Sequence, residues 1–371
     1  MSNLFFSARV LALTGVALLT GCVDRSVIIT DCQAVGDKTP LCGWQRPEDM
    51  ELLDDGKTLI VSEMEMGHGR VPGAIALLDT LSGEKRALPI VQTSDELWGD
   101  QQCTQSVGDH LGPHGIHLST RADGRQQLLV VNHGQRESVE FYEILNEFAE
   151  DTETDEATQD YRLQWRGCAE APQGSFLNDV VALPDGGFAA THMFTKGDAP
   201  VGTLNSAELK ALFGFNPGHL LRWGASGYER LGSFSGDYPN GLQISADAQY
   251  LFVNLWAESL MKKVSLDSGE VVAEVEVAHP DNSQWDGEGR LLVTGHDFSL
   301  HDLRVCNDLE EGTCPAAFYV MAVDTEAMTS ESLLRIEGAP MGAGTVTQRV
   351  GEHWYVGSFL GDRVLKLPAV Q

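Results

Sequence analysis

The sequence predicts an all-β protein, a six-bladed β-propeller, and three observations carry that expectation. Strand-like runs lie at 58–62, 127–132, 187–191, 250–254, 290–294 and 354–358, with starts 40 to 69 residues apart. Units of that size, well beyond a hairpin, suit four-stranded blades. Four phrases also share one layout: PEDMELLDDGKTLIV, LNDVVALPDGGFAA, PNGLQISADAQYLFV and PDNSQWDGEGRLLV. Each opens near a polar doublet, runs through an apolar stretch into a turn, and emerges in one of those strands. A pair of β-sandwiches would not place four such phrases at this spacing. Finally, long amphipathic helices are nearly absent. Only 205–213, NSAELKALF, combines helical spacing with an Asn cap.

The elements follow in order. Residues 1–21 read as an export signal: Arg9 precedes an apolar run at 10–19 that ends in Leu-Thr-Gly-Cys, too short to span a bilayer. The Leu-Thr-Gly-Cys run resembles a bacterial lipobox, which implies cleavage before Cys22 and lipid on its thiol. The expectation is an exported chain, anchored by lipid to the bacterial cell envelope. Residues 22–45 read as a linker and 46–371 as one propeller, since a ring has no internal domain boundary. The acidic run at 147–160 reads as an exposed loop or short polar helix.

Twenty-five basic and 54 acidic residues leave a formal charge of −29. That excludes nucleic-acid binding through clustered Lys and Arg and makes the chain attractive to cations. Besides Cys22 there are six cysteines: Cys32, Cys42, Cys103, Cys168, Cys306 and Cys314. An even number suits an oxidising compartment, and six cysteines allow 15 pairings. Proximity favours Cys32–Cys42 and Cys306–Cys314, which leaves Cys103–Cys168. Some could instead stay as buried thiols. No zinc-type spacing is present.

The doublets Glu48-Asp49, Asn178-Asp179, Asn240-Gly241 and Asp281-Asn282 fall where loops would enter the innermost strands. One such pair ordinarily opens a turn by bonding its own backbone. Four in equivalent places gather carboxylate and amide oxygens at the channel mouth, the donor set of a hard cation such as calcium.

In order along the chain, PEDMELL, GPHGI at 112–116, LLVVNH at 128–133, SVE at 138–140, LNDV, PNGLQIS, DNS, LLVTGH at 291–296 and LLRI at 333–336 resemble the phrases of the paraoxonase/arylesterase lactonases. These are six-bladed propellers related to gluconolactonases and strictosidine synthase-like proteins. The resemblance implies two calcium ions. Glu48, Asn178, Asn240, Asp281 and Asn282 would hold a catalytic one. Asp49, Asp179 and the carbonyl of Ile116 would hold a structural one. It also implies a dyad of His114 and His133, with His296 lining the substrate pocket. His192 and Trp256 end similar strands.

The family's C-terminal cysteine has no counterpart after Cys314, so ring closure must rest on strand pairing. The expected activity is calcium-dependent hydrolysis of lactones or aryl esters, with a histidine-assisted water as nucleophile. Alternatives are a calcium-stabilised binding module or scaffold without catalysis, and a sugar lactonase using another divalent metal.

Overall fold

The computed structural model describes residues 27–67, 69–150, 157–197, 205–306 and 309–370. The expected signal and Cys22 lie outside the described residues. Six antiparallel sheets form a six-bladed propeller. Their first strands, Pro47–Leu52, Pro113–Thr120, Ser175–Ala182, Pro239–Ile244, Pro280–Trp285 and Gly344–Val350, touch one another in a closed ring around the channel. The strand-like runs of the sequence are the second strands: Thr58–Glu63, Gln126–Asn132, Phe188–Thr195, Tyr250–Leu255, Arg290–Asp297 and His353–Ser358. They are legible because both faces pack against neighbouring blades, leaving almost continuous apolar runs. The interblade cores are built this way. Leu129, Val131 and Phe141 of the second blade, for example, meet Leu177, Val180, Phe188 and Trp223 of the third.

Each first strand shifts register against its partner near its start, at Pro47/Asp49, Pro113/Ile116, Leu177/Val180, Pro239/Leu242, Pro280/Ser283 and Gly344/Thr347. A bulge re-aims the side chains around it. The doublets therefore sit on the innermost strands themselves, at the bulges, and not in the loops before them.

Two expectations need correction. The 22–45 linker contains a strand: Thr39–Cys42 pairs antiparallel with Arg363–Pro368 and completes the sixth blade. This is the strand pairing on which closure was expected to rest. The acidic run is not a loop or helix at its flanks. Strands Ser138–Glu150 and Ala157–Glu170 pair at its two ends, from Trp165↔Tyr142 out to Ala157↔Glu150, and its middle, 151–156, lies outside the described residues. Buried Tyr142, Tyr161, Leu163 and Trp165 anchor the hairpin in the core, and its ladder continues outward whatever the charge of the tip. Ile90–Val91 adds a parallel fifth strand to this sheet.

Helix Ser206–Leu212 forms where the Asn cap placed it, with the Asn205 side chain accepting from the Ala207 and Glu208 N–H groups. A second helix, Leu300–Cys306, is not anticipated. Its start is signed by Ser299 and Asp302, which bond each other's backbone N–H, a reciprocal cap.

The three expected disulfides form: Cys32–Cys42, Cys103–Cys168 and Cys306–Cys314. Cys103–Cys168 closes the longest loop, with a sequence separation of 65. Loop-closure entropy then gives about 4 kcal/mol. A Cys103→Ser, Cys168→Ser variant is expected to lose about 2–4 kcal/mol in urea unfolding; an unchanged midpoint would contradict this.

Candidate metal centre

Most of the expected site residues meet at the starts of the innermost strands, and those side chains are buried. Asn282 Nδ2 of the fifth blade donates to Glu48 Oε1 of the first at 2.6 Å. Glu48 Oε1 also lies 3.8 Å from His114 Nε2, and the Asn178 amide nitrogen lies 3.3 Å from the same ring nitrogen. The Asn240 side chain hydrogen-bonds Asp281, whose Oδ2 stands 3.2 Å from His296 Nε2. The backbone of this ring is held from behind. Thr345, Ser62, Thr191 and Asn254 donate to the carbonyls of Glu48, His114, Asn240 and Asp281, all at 2.6 to 2.8 Å. Neighbouring strands approach closely here: a Cβ on Gly115 would stand 2.5 Å from Asp179 Oδ1, so the second glycine of the GPHGI phrase admits the third blade.

Four buried oxygens in this ring have no hydrogen-bond partner: Glu48 Oε2, Asn178 Oδ1, Asn240 Oδ1 and Asn282 Oδ1. Buried acceptors left unpaired are costly, and here they share one ligand chemistry. Burial, followed by the charges of Asp49 and Asp281, holds Glu48 well above the usual carboxylate range. Burial and Asp49 do the same to Asp281 and Asp179. A cation would satisfy the oxygens and reverse that penalty. Glu48, Asn178, Asn240, Asp281 and Asn282 thus fit a hard cation such as calcium. Among the described residues no three or more His, Cys, Asp or Glu side chains gather as a metal cluster, because this donor set is rich in amides.

The residues assigned to a second ion are arranged differently. Asp49 accepts from the N–H groups of Met50 and Ile116, each at 2.8 Å. Asp179 accepts from those of Val180 and Leu242, each at 2.7 Å. Ile116 therefore faces Asp49 with its N–H, where the resemblance implied its carbonyl. All four carboxylate oxygens are taken up, each Oδ1 by the following residue's N–H and each Oδ2 by an N–H of the next blade, and this set does not fit an ion as it stands. Burial pushes Asp49 up to about 7 against those hydrogen bonds.

His114 Nδ1 lies 2.8 Å from His133 Nε2, so the two expected histidines do form a pair. Burial, then His133, pushes His114 well below the ordinary imidazole range. His296 is pushed down to about 3, mainly by burial, and accepts from Trp256 Nε1 at 3.3 Å. His192 instead stacks on His219, with ring centroids 4.1 Å apart. Sequence reasoning missed Glu137, which touches His133, and the rings beside it. Phe176 stacks on His133, Phe194 on Phe176, and Tyr238 on Phe194, at centroid distances of 4.5, 5.0 and 5.8 Å. No motif marked them; Phe176 and Phe194 do sit within two residues of Asn178 and His192.

A cavity of about 800 Å³ opens at the other end of the channel, lined by His117, Arg121, Ala182, Gln243 and Trp285 among others. None of the ring residues lines it, and those strand ends carry no unpaired oxygen set like that of the ring.

The chain shares its fold with known propellers. The luciferin-regenerating enzyme superposes at a TM-score of 0.50 with 11% identity, covering 93% of this chain and 95% of that one. A gluconolactonase from Xanthomonas campestris gives 0.48 with 16% identity, over 93% and 99%. A regucalcin from Agrobacterium tumefaciens, described as calcium-binding, gives 0.47 with 14% identity, over 88% and 91%. No family model and no curated protein matches the sequence.

Proposed function

We propose that this chain is a calcium-dependent hydrolase of lactones or aryl esters. One observation carries the reading: four unpartnered buried oxygens stand in the same ring as a hydrogen-bonded histidine pair. A structural cation alone would not need the pair.

Glu48, Asn178, Asn240, Asp281 and Asn282 would hold the ion. Bound calcium supplies the positive charge that polarises an ester carbonyl and stabilises the oxyanion formed from it. The remaining work falls to this chain's own residues. His114 is kept neutral near pH 7 by burial, so it is ready to take a proton from an attacking water. His133, bonded to its other nitrogen, orients the ring. Phe176, Phe194 and Tyr238 form an apolar aromatic wall beside the pair, suited to the acyl or aryl portion of a substrate. His296 stands against Asp281 beside the ring. The lipobox and three disulfides support an exported protein held to the cell envelope by lipid on Cys22.

The test is a panel of aliphatic lactones, sugar lactones and aryl esters, assayed with calcium, with other divalent ions and with chelator. Hydrolysis that calcium supports and chelator removes is expected. Activity indifferent to chelator would remove the ion from the reaction. A preference for sugar lactones with another metal would favour the sugar-lactonase alternative, and calcium binding without hydrolysis would leave a scaffold.

A further inference from the structure

We infer that Glu137 is a positioning residue for the histidine pair: it fixes the tautomer of His133, and through it that of His114, with Lys196 holding Glu137 in place. The inference rests on the hydrolase reading of the ring.

The argument is one of donors and acceptors. Lys196 Nζ, which can only donate, lies 2.6 Å from Glu137 Oε2. The Leu177 N–H donates to Glu137 Oε1 at 2.7 Å. Glu137 is thus bound as an acceptor on both oxygens. The carboxylate is pulled below its ordinary range despite burial, chiefly by His133 and Lys196. His133 Nδ1, 3.1 Å from Oε1, must therefore carry the hydrogen. In neutral His133 that leaves Nε2 as acceptor, so the hydrogen on the 2.8 Å contact belongs to His114 Nδ1. In neutral His114, Nε2 is then the free base. It faces the amide nitrogen of Asn178 at 3.3 Å, and Asn178 in turn keeps its unpartnered Oδ1 for a cation. Each link is determined by the one before it, from Lys196 to the ring.

The parts are well placed for this. Glu137 sits in the turn between the Gln126–Asn132 and Ser138–Glu150 strands, four residues after His133. Its bond to Leu177 ties that turn to the strand carrying Asn178. Phe176 lies flat against the His133 ring, with an interplanar angle of 1°, and sets its plane. The pair thus delivers one basic nitrogen, His114 Nε2, to the carboxylate-and-amide ring. Without the Glu137 acceptor both imidazoles would populate either tautomer, and half of those arrangements present an N–H where a base is needed.

The experiment compares wild type, Glu137→Ala, Glu137→Gln and Lys196→Met by steady-state kinetics and by imidazole ¹⁵N NMR of histidine-labelled protein. In wild type both His133 and His114 are expected to carry hydrogen on Nδ1. In Glu137→Ala kcat is expected to fall about 10²-fold with KM within about twofold, and the two histidines to show mixed tautomers. Glu137→Gln keeps an oxygen for the Leu177 and His133 hydrogens, and should recover most of kcat and the Nδ1–H signals. Lys196→Met should lose only a few-fold. Wild-type His133 with its hydrogen on Nε2, or Glu137→Ala with wild-type kcat, overturns the proposal. If Glu137→Ala does not fold, the wild-type and Glu137→Gln tautomers decide it. If wild type hydrolyses nothing in the panel, the hydrolase reading fails, while the NMR still decides whether the relay exists.

Discussion

Replacing Asp281 with Ala is expected to lower kcat/KM for lactones by about 10²–10³-fold and to abolish calcium binding measured by titration calorimetry. The unusual part is the effect on stability. Asp281 is buried and raised well above its ordinary range, first by burial and then by Asp49. Its side chain is met by the Asn240 amide and the His296 ring. In chelator, removing this carboxylate relieves repulsion within the acidic ring, so the variant should melt no lower than wild type. With calcium at 100-fold over its Kd, wild type gains about 2.7 kcal/mol and the variant gains nothing.

The pH dependence has the same origin. Glu48, Asp49, Asp179 and Asp281 all have folded pKa values above their unfolded ones. The folded state therefore binds more protons than the unfolded state above about pH 4. In chelator, wild-type stability should fall as pH rises from about 4 through the Asp49 value of about 7; calcium should remove the part of that slope that comes from Glu48 and Asp281. A chelated variant clearly less stable than chelated wild type would show that Asp281 holds the ring together without a cation.

Replacing Arg363 with Ala is expected to cost about 3–5 kcal/mol, the largest stability loss foreseen here. The Arg363 side chain is fully buried in the last blade. Its guanidinium donates to the carbonyls of Asp31 at 2.7 Å, Pro340 at 3.1 Å and Ile29 at 3.1 Å, and to Asp362 Oδ1 at 2.7 Å. It thereby fastens the segment before the closing strand to the blade that strand completes. Alanine would leave buried carbonyls without donors, at about 1–3 kcal/mol each, partly offset as water enters. For a domain of this length the midpoint should fall by about 4–7 °C. Hydrogen exchange should quicken first along Thr39–Cys42. A variant that melts within a degree of wild type would show that the Thr39–Cys42 pairing closes the ring without help.

Much of this was legible in the chain. The second strands announced themselves because both of their faces are buried, which leaves runs such as TLIV and LLVV. The doublets were legible because Asn, Asp and Glu stand where an apolar residue would otherwise start each inner strand. Asn205 marked its helix because a cap is a local interaction. Glu137 and Lys196 were not legible: they lie 59 residues apart and carry no motif, and a charged turn residue ordinarily faces water. The closing strand was missed because TPLC has neither length nor alternation; only Arg363–Lys366 beside it makes it a strand. The acidic hairpin was missed because charge predicts solvation and says nothing of a ladder extended from a buried base.

The sequence by itself determined the repeat, the blade count and the residue types of the ring, since these follow from local periodicity, spacing and composition. Only the tertiary structure decided which oxygens remain unpaired. Asp49 and Glu48 are adjacent and chemically alike, yet one takes backbone hydrogens from two strands and the other keeps a bare oxygen. That difference arises from where the neighbouring blade's N–H groups fall, and it is set by the bulges and by the closure of the ring.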